Sequence, residues 1–119
     1  MGGTRALTLS AHAAIETVAA PAIMAAPFLL GFGQAAGALA FALGAMLLGL
    51  AVQTVSPGRT MPLSAHAAFD YFLAALAIVG GIVIGLGAGE WGSASFLVGI
   101  GVALAALTAS TRFTVAVGA

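Results

Sequence analysis

The chain has 119 residues, of which 62% are hydrophobic and 5% charged, and its mean hydropathy is +1.21. About a quarter of the residues in an ordinary soluble domain are charged, so this composition indicates an integral membrane protein. The absence of Cys excludes disulfides, thiolate metal sites and cysteine nucleophiles. Three basic residues balance three acids, and no basic patch predicts a nucleic-acid partner.

Four apolar segments are long enough to cross a bilayer as helices, which takes about 20 residues each. In chain order we predict helices at 10–31, 35–54, 64–87 and 93–111, separated by Gly- and Pro-containing turns. Ser10 and Ser64 are predicted as the N-caps of the first and third helices. The apolar runs are continuous rather than alternating, which favours helices over membrane strands.

The arginines predict the orientation of the chain. Arg5 precedes the first helix, Arg59 lies between the second and third, and Arg112 follows the fourth. With four spans these three positions share one side of the membrane. The positive-inside rule makes that side cytoplasmic, so both termini are predicted to be cytoplasmic.

The two halves of the chain repeat one another. The stretch "LSAHAAIE" at Leu9–Glu16 recurs as "LSAHAAFD" at Leu63–Asp70. Past the hairpin tip, one extra residue in the second copy aligns Gly44 with Gly99. Each copy is therefore predicted to be a two-helix hairpin.

These hairpins predict the fold class. We expect an all-α membrane protein in which residues 1–119 form a single transmembrane domain of four helices. Its two tandem hairpin repeats, 5–55 and 59–112, are expected to be related by a pseudo-two-fold axis along the membrane normal.

The stretch "APFLLGFG", Ala26–Gly33, followed by a second apolar helix, resembles the SPW-repeat family of small bacterial membrane proteins. That family carries Ser-Pro-Trp late in the first helix of each two-helix repeat. Here Pro27 is kept, Phe28 takes the place of Trp, and Gly80 and Gly81 lie at the aligned positions of the second copy. The resemblance implies the hairpin architecture and a bacterial inner-membrane location, and it implies no activity.

Two features of the odd-numbered helices concern their shape and packing. Pro27 and the pair Gly80-Gly81 are predicted to bend or end their helices at the same depth. Small residues recur every fourth position on the third helix, a pattern typical of close helix packing in membranes. The members of this stripe are Ala77, Gly81, Gly85 and Gly89.

Each repeat also carries a His and an acid four residues apart, His12 with Glu16 and His66 with Asp70. This spacing places both side chains on one helix face. The simplest interpretation is that the acid offsets the exposed N–H groups of the helix start and the His is its partner. If the first and third helices adjoin the pseudo-two-fold axis, all four residues converge.

A converged group permits three sharper interpretations. Two imidazoles facing each other suit a b-type haem. Two His and two carboxylates suit Zn²⁺, Mn²⁺ or Fe²⁺. A proton-coupled or pH-sensing role is also open, because His titrates near neutral pH.

The sequence therefore leads to two functional hypotheses. The first is a non-enzymatic accessory or structural subunit without a cofactor, which packs with itself or a larger membrane complex within the lipid bilayer. The alternative is a ligand-binding or transport protein for a divalent metal, protons or haem. Its predicted site consists of His12, Glu16, His66 and Asp70.

Overall fold

A computed structural model describes residues 5–56, 58 and 61–114. Four helices account for most of them: α1 (Leu9–Leu30), α2 (Gln34–Val55), α3 (Leu63–Ala88) and α4 (Trp91–Ala109). All four are long and apolar enough to span a membrane. Between residues 5 and 114, leaving aside 57, 59 and 60, the only β-structure is a single bridge that pairs Leu7 with Thr111. The predicted all-α membrane fold is confirmed.

The helices pair as two hairpins, α1 with α2 and α3 with α4, and the main contact between the hairpins runs through α2 and α3. Glycines allow the close approach within each hairpin. A Cβ at Gly44 would lie 2.8 Å from the Ala20 carbonyl, and a Cβ at Gly101 would lie 2.6 Å from the Ala74 carbonyl.

The counterpart of Gly44 in the second hairpin is therefore Gly101 rather than Gly99. Nothing lies within 4 Å of a Cβ placed on Gly99. The sequence alignment was wrong by two residues past the tip, because it counted one extra residue in the second copy where the packing requires three.

The N-caps also differ from the prediction. Thr8 caps α1, and its hydroxyl accepts a hydrogen bond from the Ala11 N–H at 3.1 Å. Pro62 precedes α3 and makes no side-chain cap bond. Both helices begin one residue earlier than predicted, so Ser10 and Ser64 lie inside the first turn instead of capping it.

Neither predicted helix breaker ends its helix. α1 continues through Pro27 to its cap at Gly31, and α3 continues through Gly80 and Gly81 to its cap at Gly89. In a bilayer, backbone groups must be hydrogen-bonded within the segment, which favours continued helix. Gly31 and Gly89 adopt φ values of 68° and 69°, a left-handed conformation that glycine adopts without strain.

The small-residue stripe of α3 packs inside its own hairpin. Ala77, Gly81 and Gly85 are buried, and a Cβ at Gly81 would lie 2.9 Å from the Ala94 carbonyl of α4. Gly85 lies against the ring of Trp91. Gly89 is not part of the packed face, since it caps the helix and nothing lies within 4 Å of a Cβ placed on it.

The core lies along the middle of the bundle, and Leu43, Leu47, Leu73 and Leu97 are among its most buried side chains. Large apolar side chains also cover the outer surface of all four helices. That arrangement suits contact with lipid, where the outside of a helix bundle need not be polar.

The two ends of the bundle have different polar contacts. At the end with the hairpin tips, Glu90 is half-buried and accepts a hydrogen bond from the Gly33 N–H at 3.2 Å, so it links the two tips. At the other end, Arg5 and Arg112 lie beside the paired segments around Leu7 and Thr111. Arg59, the third residue behind the predicted orientation, lies outside the described residues.

Candidate metal centre

The four residues predicted from the repeated motif come together at one place. His12 and Glu16 project from α1, and His66 and Asp70 project from α3. One ligand atom from each lies within 4.8 Å of the others. The side chains are 0–3% exposed, so the cluster is closed to bulk solvent.

The imidazoles contact carboxylates on both helices. Within each helix, the His Nε2 lies 3.1 Å from the acid four residues on, Glu16 Oε2 or Asp70 Oδ2. Between the helices, His12 Nε2 lies 2.8 Å from Asp70 Oδ2, and His66 Nε2 lies 3.5 Å from Glu16 Oε1. The cluster therefore joins the two hairpins.

The carboxylates do not have the helix-start role of the simplest interpretation. The first turns of α1 and α3 contain no acidic residue. Glu16 and Asp70 lie almost two turns in, and their oxygens face the imidazoles instead of free backbone N–H groups. The spacing does place each His 3.1 Å from its own acid, as predicted, and the same acids also contact the His of the opposite repeat.

A threonine hydroxyl holds the far side of each ring. Thr111 Oγ1 lies 2.8 Å from His12 Nδ1, and Thr54 Oγ1 lies 3.0 Å from His66 Nδ1. Each hydroxyl donates its proton to the carbonyl four residues earlier, on Leu107 at 2.6 Å and on Leu50 at 2.9 Å. Because a hydroxyl has one proton to donate, it accepts from Nδ1. The Nδ1 atom of each ring is therefore protonated.

This assignment fixes what the rings present to the carboxylates. A neutral imidazole has one N–H, so with Nδ1 protonated its Nε2 offers a lone pair. Ionised carboxylate oxygens also offer only lone pairs. Four acceptors therefore face one another in a buried space, and positive charge must lie among them, either as protons on Nε2 or as a metal ion.

Several atoms of the cluster lack a hydrogen-bond partner within the described part of the chain. They are both Glu16 oxygens, Asp70 Oδ1 and His66 Nε2. His66 Nε2 is within ion-pair distance of two carboxylates but is not aligned for a hydrogen bond to either. Buried polar atoms are nearly always partnered, so these atoms indicate that a proton or a cation belongs among them.

The arginines do not neutralise the cluster in the described residues. Arg5 Nη1 donates to the Thr111 carbonyl at 3.2 Å, and Arg112 Nε donates to the Leu7 carbonyl at 3.5 Å. The two buried carboxylates therefore rely on the imidazoles, or on an ion held with them, for compensation of their charge.

An aromatic ring closes the cluster at the end of the bundle. The Phe113 ring centroid lies 5.1 Å from that of His12 and 5.6 Å from that of His66. The two imidazoles themselves are 5.6 Å apart in an edge-to-face arrangement. Phe113 is half-buried, so it lies between the imidazoles and the exterior.

Thr54, Thr111 and Phe113 were not identified from the sequence. The Thr pair has a signal in retrospect, because Leu-x-x-x-Thr occurs at Leu50–Thr54 and again at Leu107–Thr111. Leu50 and Thr54 align with Leu107 and Thr111 when the second copy is given three extra residues past the hairpin tip, as it is in aligning Gly44 with Gly101. Phe113 has no counterpart that a repeat alignment could have indicated.

Comparison of the chain with protein-family models, with curated proteins and with solved structures finds no match. The resemblance to the SPW-repeat family stays a prediction.

Proposed function

We propose that this protein binds one divalent transition-metal ion inside the membrane bundle, with His12, Glu16, His66 and Asp70 as its ligands. The observation that carries the proposal is the orientation of the rings. Thr54 and Thr111 hold both Nδ1 atoms, so both Nε2 lone pairs face two carboxylates. Metal-binding His residues typically donate their other ring N–H to a second partner in this way.

The distances suit a small ion. Zinc lies about 2.0–2.2 Å from His nitrogens and carboxylate oxygens, so neighbouring ligands of a tetrahedral site are roughly 3.4 Å apart. The four N–O separations run from 2.8 to 3.5 Å, with His12 near Glu16 Oε2 and His66 near Glu16 Oε1, and one ligand atom from each residue lies within 4.8 Å of the others. A bound ion requires the shortest pair to widen by about half an ångström and the widest pair to close.

The donor chemistry selects the class of ion. Two imidazoles and two carboxylates suit Zn²⁺, Mn²⁺ or Fe²⁺, whereas Mg²⁺ and Ca²⁺ prefer oxygen alone and Cu⁺ prefers sulfur. A divalent ion also cancels the charge of the two carboxylates while the imidazoles stay neutral. That balance matters in a buried site, because an uncompensated charge there is strongly unfavourable.

The same geometry favours a metal ion over haem. A porphyrin has to lie between its two axial imidazoles. Here the carboxylate oxygens of Glu16 and Asp70 lie within 2.8–3.5 Å of the Nε2 atoms, in the space that a macrocycle would need.

The proposed role is binding, without catalysis or transport by a single chain. Four protein ligands complete a tetrahedral ion, whereas catalytic zinc sites keep one position open. From the cluster toward the hairpin tips, the bundle centre is filled by the apolar side chains of Leu43, Leu73 and Leu97. These side chains leave an ion no polar route through the described bundle. The predicted cytoplasmic orientation of the termini puts the site within reach of cytoplasmic metal.

A second candidate is a structural clamp, favoured by the 2.8 Å hydrogen bond between His12 Nε2 and Asp70 Oδ2. With both imidazoles protonated, the cluster is a neutral group of ion pairs that fixes one hairpin against the other. This role is compatible with the predicted accessory or structural subunit, which packs with itself or a larger membrane complex.

Metal analysis of the purified protein tests the proposal. The chain contains only two His, so a tag without histidine leaves no competing imidazole. We expect chelator-stripped protein in mild detergent to take up one equivalent of Zn²⁺ or Mn²⁺ and none of Mg²⁺. Glu16→Gln and the double variant His12→Ala/His66→Ala should abolish that uptake.

Glu90→Gln is the matched control, because it neutralises a carboxylate at the opposite end of the bundle. It should bind metal as the parent does. If the parent protein binds none of these ions with a stoichiometry of one per chain, the metal proposal is overturned. Loss of thermal stability in the double His variant, without any metal effect, would then support the clamp.

A further inference from the structure

The two halves of the site are held by unlike parts of the chain. Thr54, which holds His66, lies inside α2. Thr111, which holds His12, lies beyond the last residue of α4. It belongs to the segment Ser110–Phe113, here called the strap, which also carries Phe113 over both imidazoles.

The strap is bonded both to the end of α4 and to the segment before α1. The Ser110 N–H donates to the Ala106 carbonyl at 3.0 Å and the Thr111 N–H donates to the Thr108 carbonyl at 3.2 Å, so these two residues continue the last turn of α4. The Leu7 N–H donates to the Ser110 carbonyl and the Arg112 N–H donates to the Leu7 carbonyl, both at 2.9 Å. The Arg5 and Arg112 side chains add the bonds to backbone carbonyls described above. Beyond Thr111, the backbone of the strap is held by the bridge to Leu7, which opens more readily than a membrane-spanning helix, whose backbone bonds are cooperative.

The other ways into the cluster are less suited to an ion. A groove of about 380 Å³ between α1 and α4 reaches Glu16, but the rest of its lining is apolar apart from Ser110. Outside the strap, by contrast, lies a recess of about 180 Å³ lined by Thr8, Leu9, Arg112 and Thr114. Moving a hydrated ion along an apolar groove is unfavourable, whereas the hydroxyls of Thr8 and Thr114 can contact water in the recess beside the strap.

Building on the metal-binding function above, we propose that the strap is the gate of the site. The ion enters and leaves when Ser110–Phe113 lifts from Leu7. Closure places Phe113 over the imidazoles and returns the Thr111 hydroxyl to His12 Nδ1. The hydrogen bond from His12 Nδ1 to Thr111 therefore forms only when the gate is closed. Phe113 controls how fast the ion exchanges.

The test separates the rate of exchange from affinity. Protein loaded with Zn²⁺ is mixed with excess chelator, and release is followed over time beside an equilibrium titration. Phe113→Ala should release Zn²⁺ at least 10-fold faster than the parent while its Kd changes by less than about 3-fold, because the ring blocks the path and is not a ligand. Arg5→Ala, which removes one strap bond, should also accelerate release.

Ala103→Leu is the matched control, because it narrows the apolar groove and leaves the strap unchanged. Its release rate should equal that of the parent. Slower release from Ala103→Leu, or unchanged release from both strap variants, would overturn the gate.

Amide hydrogen exchange gives a second test. It uses the unmutated protein, so its result does not depend on whether a variant folds. The Leu7 and Arg112 amides should exchange faster than amides of the helix centres, and Zn²⁺ should slow them. Equal protection with and without Zn²⁺ would contradict the gate. If the parent binds no Zn²⁺, the metal proposal itself fails before any release is measured, so the two failures are distinguishable.

Discussion

At the scale of single residues, the hydroxyls of Thr54 and Thr111 have the same role in the two repeats. Each accepts a hydrogen bond from a His Nδ1 and donates to the carbonyl four residues earlier. Replacing either Thr by Val keeps the shape but leaves Nδ1 without an acceptor. We expect Thr54→Val and Thr111→Val each to weaken Zn²⁺ binding about 10- to 100-fold, the usual effect of losing such an outer partner. Equilibrium titration of Zn²⁺ measures the change.

Thr17→Val provides the matched control for these variants. Thr17 also donates to the carbonyl four residues earlier, that of Ala13 at 2.7 Å, but it is exposed. Replacement of Thr17 by Val should leave Zn²⁺ affinity unchanged. Thr54→Ser keeps the hydroxyl, so it should bind Zn²⁺ more tightly than Thr54→Val. An equal loss in Thr17→Val would mean that the effect comes from the helix instead of from the ligand.

The residues of the site could be predicted from the sequence only in part. His12, Glu16, His66 and Asp70 stand out because they are polar, repeated and set in an apolar chain. The repetition of Thr54 as Thr111 becomes visible only when three extra residues are counted in the second copy, and a Thr in a membrane helix normally hydrogen-bonds to its own backbone. What makes it part of the site is the position of His66 on the neighbouring helix, which depends on the packing of α2 against α3.

At the scale of helices, Gly81 determines how closely α3 approaches α4. A Cβ there would lie 2.9 Å from both the Ala94 carbonyl and Val98 Cγ2. Gly81→Leu should therefore separate the second hairpin and lower the free energy of unfolding by about 1–3 kcal/mol, as overpacking typically does. Thermal unfolding in detergent, followed by circular dichroism, measures the loss.

Gly87→Leu is the natural comparison, since Gly87 lies on the same helix with nothing within 4 Å of its Cβ position. This variant should keep the stability of the parent. Because Gly81 contacts α4 of its own chain, Gly81→Leu disturbs the fold of one chain before any packing between chains. A Gly81→Leu protein as stable as the parent would show that α3 and α4 tolerate separation.

The four helices and their pairing follow from hydropathy and turn residues, and both were predicted. The alignment of the two repeats past the hairpin tips was not predicted, because the Gly-rich second hairpin offers several alignments of similar quality. Only backbone contact distinguishes Gly101, which lies against α3, from Gly99, which does not. Helix starts shifted by one residue for a similar reason, since Thr8 and Ser10 are equally plausible caps until the first bond is seen.

For the whole molecule, the orientation predicted from the arginines can be tested with single cysteines, because the parent chain has none. Gly58 lies between α2 and α3, and Gly92 lies in the first turn of α4 at the opposite end. A Cβ meets nothing within 4 Å at either position. In intact cells, a membrane-impermeant thiol reagent should label Gly92→Cys and leave Gly58→Cys unlabelled, with labelling of both after permeabilisation as the control.

The reverse pattern would place the cluster on the outer side and remove cytoplasmic metal as its source. The sequence could suggest the side of the membrane through charge, but it could not establish that α1 and α3 turn their polar faces toward each other. That arrangement depends on the rotation of each helix about its axis, and the close contacts of Gly44 with α1 and of Gly101 with α3 are part of the packing that holds it.

The exchange of threonines between the repeats has a consequence for biogenesis. The first hairpin carries Thr54 for the imidazole of the second, and the strap after the second hairpin carries Thr111 for the imidazole of the first. A nascent chain that has inserted only α1 and α2 thus holds His12 and Glu16 in the bilayer without either of their later partners. Insertion of the second hairpin supplies both missing contacts at once, so neither hairpin alone is a complete folding unit.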